Sequence, residues 1–144
     1  MNTQALRKAL SLLLALTTLL MLVTLVSCNK EPVVVKDSDT CIVIRVPEDA
    51  EEMLLMDYME ILRERGELTF ATQNGMITSI GDIENPADFS SCWMLYTSDA
   101  ELSNSAGGTV EYDGVEYGSA VVGAEALTVK PGCLYIWAFI TFSA

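Results

Sequence analysis

The chain has 144 residues, of which 20 are acidic and 8 basic, with four cysteines and no histidine. A net charge of −12 with no basic run leaves no counterion-displacing surface for nucleic acid. The missing histidine removes Ser-His-Asp triads, Cys-His nucleophile pairs and His-ligated zinc or iron sites together, leaving carboxylate, lysine or lone-thiol chemistry.

In chain order, the first predicted element is an export signal. Arg7 and Lys8 precede an uncharged apolar stretch over 9–26, and Leu25-Val26-Ser27 leads directly into Cys28. A basic segment, an apolar segment, a small residue before the cut and a cysteine after it form the pattern of a bacterial lipoprotein signal over 1–27. Cys28 is then the lipidated residue. At 18 residues the stretch sits at the lower edge of what spans a bilayer, so a plain signal peptide and an uncleaved anchor helix are the alternatives. All three place the remainder outside the cytoplasm. Without Arg7 and Lys8, six bases face 20 acidic residues, a net charge of −14 that keeps the domain soluble and off an anionic membrane surface.

Residues 28–39 form a tether around Pro32, with a single domain over 40–144. The alternation of Ile42, Ile44 and Val46 predicts a strand over 41–46. Asp49 followed by Glu52 has capping-box spacing, Leu55, Tyr58, Met59 and Leu62 share one helical face, and Gly66 supplies a left-handed stop. Everything beyond Gly66 is strand and turn. Hairpins are expected at Asn74-Gly75 and Asp113-Gly114, whose residues accept positive φ, the second placing Glu111 opposite Glu116. Further strands fall at 93–97, 127–129 and 134–142, with a long loop over 98–108. One helix packed on a mixed β-sheet makes this an α+β domain.

With Cys28 assigned to lipid, Cys41, Cys92 and Cys133 allow at most one disulfide. Either Cys92 joins Cys133, since both begin apolar strands, or all three pack as small hydrophobes. Asp82, Glu84 and Asp88 lack the fixed alternation of an EF-hand loop and read as solvated turn carboxylates, so no metal is expected. Trp93, Tyr96 and Trp137 are either core residues or an aromatic ligand-binding edge.

Three stretches, QNGMITSIGDIENP (73–86), CWMLYTSD (92–99) and YGSAVVGAEALTVKPGCLYIW (117–137), together resemble the small extracytoplasmic domain family named for the C-terminal domain of transcobalamin. Gly75, Ile77, Ser79, Ile80, Trp93, Tyr96, Gly132 and Trp137 carry the resemblance. It implies a β-grasp-like fold, and together with Cys28 and the missing catalytic set it points to a non-catalytic binding or interaction module held at a bacterial envelope by lipid, its partner a surface protein or a small molecule. A cobalamin-like corrinoid carrier using Trp93, Tyr96 and Trp137 is the alternative. Thr97-Ser98-Asp99 departs from the family's usual Trp-x-x-Tyr-x-x-Asn-Gly hairpin.

Overall fold

A computed structural model describes residues 3–4, 7–11 and 33–143. Strands β1 (Val34–Ser38), β2 (Cys41–Arg45), β6 (Ser91–Thr97), β7 (Ser103–Tyr112), β8 (Val115–Ala120) and β9 (Leu134–Thr141) form one sheet in the order β1-β2-β9-β6-β8-β7. A second sheet holds β3 (Phe70–Gln73), β4 (Met76–Ile80) and β5 (Ile83–Glu84), and helix α1 spans Leu55–Glu64. This is an α+β arrangement dominated by strand. The expected mixed sheet is corrected: every pairing among the described residues is antiparallel. All five neighbour steps in the large sheet join strands of opposed direction, two of them through two-residue hairpins.

The chain divides into two compact units, Met1–Glu31 and Pro32–Ala144. In the first, the described residues 3–4 and 7–11 are helical. Cys28 and most of the apolar stretch lie outside the described residues, among which no helix is long and apolar enough to cross a membrane. The second unit begins earlier than expected, because half of the predicted tether is β1. Val34 pairs with Ile44 and Ser38 with Cys41 around an Asp39-Thr40 turn. Charged residues among the valines hid this strand, yet an edge strand exposes one ladder and tolerates them.

The period-2 pattern sorts the large sheet into two buried faces. Ile42, Ile44, Trp93, Leu95, Tyr135 and Trp137 point to one side, where α1 and the small sheet cover them. Helix α1 contributes the predicted Leu55, Tyr58, Met59 and Leu62. Arg63 ties the end of the helix to the small sheet, its guanidinium lying 4.8 Å from the Phe70 ring centroid. On the other side Val43, Tyr96, Ile136 and Ala138 form a second cluster, roofed by Tyr112. The β7–β8 hairpin joins β6 through a single pair, Tyr96 opposite Ser119. From there it arches back far enough for Arg45 on β2 to donate to the Tyr112 hydroxyl at 2.7 Å.

Local signals were met unevenly. Both two-residue turns form, with positive φ at Asn74, Gly75, Asp113 and Gly114, and Glu111 faces Glu116. Gly66 stops the helix at φ +73°. The capping box does not form: α1 starts at Leu55, its N-cap Leu54 has no side-chain hydrogen bond, and Leu55 and Met56 donate to the carbonyls of Leu127 and Ala124. Once a neighbouring segment supplies acceptors for the first orphan N–H groups, the cap becomes dispensable. That neighbouring segment is the strand expected at 127–129, reduced to an isolated bridge between Leu54 and Thr128. The loop expected over 98–108 instead enters β7 at Ser103, with an irregularity between Asn104 and Thr109. Gly118 makes room for that bulge, since a Cβ there would meet Ser103 and the backbone of Asn104 and Ser105.

The Cys92–Cys133 disulfide is also corrected, as Cys41, Cys92 and Cys133 are all free. Cys92 lies opposite Ile140 in the β6–β9 ladder, while Cys133 precedes Leu134 at the other end of β9. At about 3.4 Å per residue the two stand roughly 20 Å apart, well beyond bridging reach. Beginning neighbouring strands places residues far apart when the strands are antiparallel. Thiol titration of the unfolded chain should give the same count at these three positions with and without reductant; two thiols missing without reductant would contradict the register.

Candidate functional site

Where β8 leaves β6, a groove of about 360 Å³ opens on the helix side of the large sheet. Trp93, Leu95 and Trp137 lie along its sheet side, Ile77 comes from β4, and residues 120–124 form a further wall. Met76, Phe89 and Val121 line it too, yet they stay 55%, 55% and 53% exposed. Large apolar side chains left this open, clustered at one concavity, mark a surface that gains by being covered. None of the lining side chains is charged.

Two local devices build the groove. Asn85 clamps the small sheet to the large one: its Nδ2 donates to the Ile77 carbonyl at 2.8 Å and its Oδ1 accepts the Trp93 N–H at 3.0 Å. The Trp93 indole adds a bond to the Ile83 carbonyl at 2.9 Å and meets Phe139 edge-on at 5.4 Å. The second device is the turn 86–89. Phe89 donates its N–H to the Pro86 carbonyl and adopts φ +52°, a strained region for a bulky residue. The Asp88 carboxylate accepts the Ser90 N–H, which holds its pKa below the ordinary carboxylate range. The turn thereby presents an aromatic ring outward.

The predicted site residues separate. Trp93 and Trp137, 5% exposed each, share this groove. Tyr96 does not join them: strand alternation sends it to the opposite face, beneath the β7–β8 hairpin, where burial raises its pKa. The Trp137 indole N–H is buried and finds no acceptor among the described residues. Cys92 also lines the groove, and burial pushes its thiol up, away from the thiolate form a nucleophile needs. Asn85, Phe89 and Val121 were missed by sequence reasoning; the available signal was an aromatic residue stranded among turn formers in Pro86-Ala87-Asp88-Phe89-Ser90.

A second, polar cleft of about 420 Å³ lies between β1, β2 and the small sheet, with Lys36, Asp39, Glu67 and Asp82 on its walls. Among the described residues no group of three or more acidic or thiol side chains is placed to hold a metal ion. At the far end of β6, Asp99, 4% exposed, accepts the Glu101 N–H and pairs with the Lys130 ammonium at 3.2 Å, which also contacts Glu101. The hydrogen bonds to Glu101 and Asp99 raise the Lys130 pKa.

The shifts of the thiols, the phenols and Lys130 share a sign, opposite to that of Asp88. Burial raises Cys41, Cys92, Tyr58, Tyr96 and Tyr135 above ordinary values of 9.0 for thiol and 10.0 for phenol. Lys130 is raised above 10.5 by its partners. Above pH 9 the folded chain therefore holds protons that the unfolded chain has released, and stability must fall as pH rises. With no histidine, little titrates between pH 6 and 8. The urea midpoint should be level across that interval and decline from about pH 9 upward. A midpoint still level at pH 11 would contradict the burial of these groups.

No protein-family model matches the chain, and neither a curated protein nor a solved structure matches it.

Proposed function

We propose that the chain is a non-catalytic binding domain, anchored by lipid at Cys28 on the extracytoplasmic face of a bacterial cell membrane, and that it engages its partner through the groove over Trp93 and Trp137. The observation that carries this reading is the groove itself: an uncharged concavity with Met76, Phe89 and Val121 exposed along it. Its size suits a few apolar side chains or a small molecule, near the lower end of the roughly 300–1,000 Å³ of ligand sites. The groove has no ionisable pair poised for proton transfer, and its one thiol is held protonated by burial.

Membership of the transcobalamin-like C-terminal domain family belongs to the same proposal, supported by the residues that resemble its signature, four of which line the groove. For a β-grasp-like fold, the support is one helix crossing a sheet whose final strand, β9, lies between β2 and β6. The antiparallel β2–β9 pair departs from that fold's parallel centre.

Two arms test the proposal in cells. Labelled palmitate should enter the wild-type chain and be absent from Cys28→Ala; label retained in the variant would end the lipid-anchor reading. A photoreactive residue at position 121 should cross-link to one discrete species, whereas the same residue at position 115, on the exposed hairpin, should not. Equal products from both positions would contradict a groove-specific partner. Cobalamin should give no heat and no thermal shift with the full chain in detergent; saturable binding would replace the protein-partner reading with the corrinoid one.

A further inference from the structure

Four consecutive residues of β6, 92–95, line the groove. Side chains alternate between faces of a strand, so an unbroken run of four lines a cavity only when the strand's backbone edge faces it. The pairing agrees. β6 meets β9 along its whole length from Ser91 to Thr97, but on its other edge β8 pairs at Tyr96 alone. The first half of that edge pairs with no strand, and between it and β4 the Asn85 side chain takes the Trp93 N–H where a strand's carbonyl would sit. Trp137 lines the same groove, and its indole N–H is buried without an acceptor among the described residues.

Resting on the binding-domain reading above, we propose that the groove seats a short extended peptide segment of a partner protein, laid along the open edge of β6 and flanked by lysine or arginine. Its apolar side chain covers Trp93 and Leu95 between Phe89 and Val121. This is strand addition, in which main-chain bonds give affinity and pockets for alternate side chains give selectivity.

Charge selects this occupant. The chain carries 20 acidic and 8 basic residues. Lys36 is committed to Asp39, Arg63 to Glu60, and Lys130 to Asp99 and Glu101. Beside the groove, the Glu125 carboxylate packs over Gly75, whose missing side chain leaves it room. A second copy of this chain, or an anionic lipid surface, would bring like charge to Glu125 and to a chain of net charge −12. A basic-flanked peptide brings the opposite charge, with faster encounter and salt-sensitive affinity.

Both tryptophans of the chain line the groove, so their fluorescence reports occupancy directly. The detergent-solubilised full chain would be titrated with a hexapeptide of alternating valine and phenylalanine capped by lysines, its glutamate-capped twin, and a version interrupted by proline. The lysine-capped peptide should give a saturable shift, with the other two at least tenfold weaker. Phe89→Asp and Val121→Asp should each weaken it at least tenfold with the unfolding midpoint unchanged, while Val115→Asp binds as wild type. Equal affinity for the three peptides, no saturable response, or a response that follows self-association in sedimentation would overturn the proposal. If the position-121 cross-link persists in cells while no peptide binds, the extended-peptide inference falls and the binding-domain reading stands. Loss of both removes the reading itself.

Discussion

Asn85→Ala should lower stability by about 2–4 kcal/mol, a large effect for a half-buried polar residue. Its side chain makes two hydrogen bonds in opposite directions, to the Ile77 carbonyl of the small sheet and from the Trp93 N–H of the large one. Alanine removes both at once and leaves a carbonyl and an N–H with reduced access to water, each costing about 1–3 kcal/mol. Trp93 is anchored to Ile83 on the same small sheet, so loosening the clamp should also shift the tryptophan emission to the red. Asp88→Ala is the control three residues away, since it removes only an exposed turn contact to Ser90 and should leave the urea midpoint nearly unchanged. Urea denaturation monitored by fluorescence measures all of this. An Asn85→Ala cost no larger than the control would mean that the two sheets are held together by apolar packing alone.

Tyr112→Ala should cost about 3–5 kcal/mol, the range for deleting a buried aromatic side chain. Tyr112 is 8% exposed although it sits one residue before a hairpin turn, because β7 and β8 fold back over the second core face. That roof is attached to the sheet by one strand pair and by Arg45, whose guanidinium donates to the hydroxyl and lies 5.9 Å from the ring centroid. Without the ring, Val43, Ile136 and Ala138 lose cover. Tyr112→Phe separates the two contributions: it keeps the ring, loses a charge-assisted hydrogen bond, and should cost about 1.5–3 kcal/mol. Amide exchange should accelerate across 110–117 in the alanine variant while α1 stays protected. Near-equal stability of wild type and Tyr112→Ala would show that the hairpin is not a structural roof.

Much of this fold was legible because its signals are local. Ile42, Ile44 and Val46 alternate, Leu55, Tyr58, Met59 and Leu62 repeat at helical spacing, and Asn74-Gly75 and Asp113-Gly114 leave few turn geometries open. Residues whose roles depend on distant partners were not legible. Asn85 reads as a turn former until Ile77 and Trp93 are seen on either side of it. The helix start moved six residues past Asp49 because the carbonyls of Leu127 and Ala124, far along the chain, cap it. Tyr96 was grouped with Trp93 as the second aromatic of the Trp-x-x-Tyr pattern, yet three steps along a strand always change face. Trp93 and Trp137 do lie on one face, and their register explains it: Leu95 faces Trp137 and Trp93 faces Phe139 on one side of the sheet.

The groove also gives the strained Phe89 backbone a rationale. A bulky residue at φ +52° costs stability, and the same turn holds its ring in solvent rather than in the core. Folding stability gains nothing from that arrangement, whereas a partner laid over the groove would gain an aromatic wall.

Hydrogen–deuterium exchange, comparing the full chain in the membranes to which the proposed lipid anchor would hold it with the same chain purified in detergent, tests this account most directly. Occupancy of the groove predicts slower exchange in the membranes for 85–95 and 120–124, with 113–116 at the hairpin turn unchanged between the two. Identical exchange across 85–95 and 120–124 in both preparations would contradict the groove as the working surface of this domain.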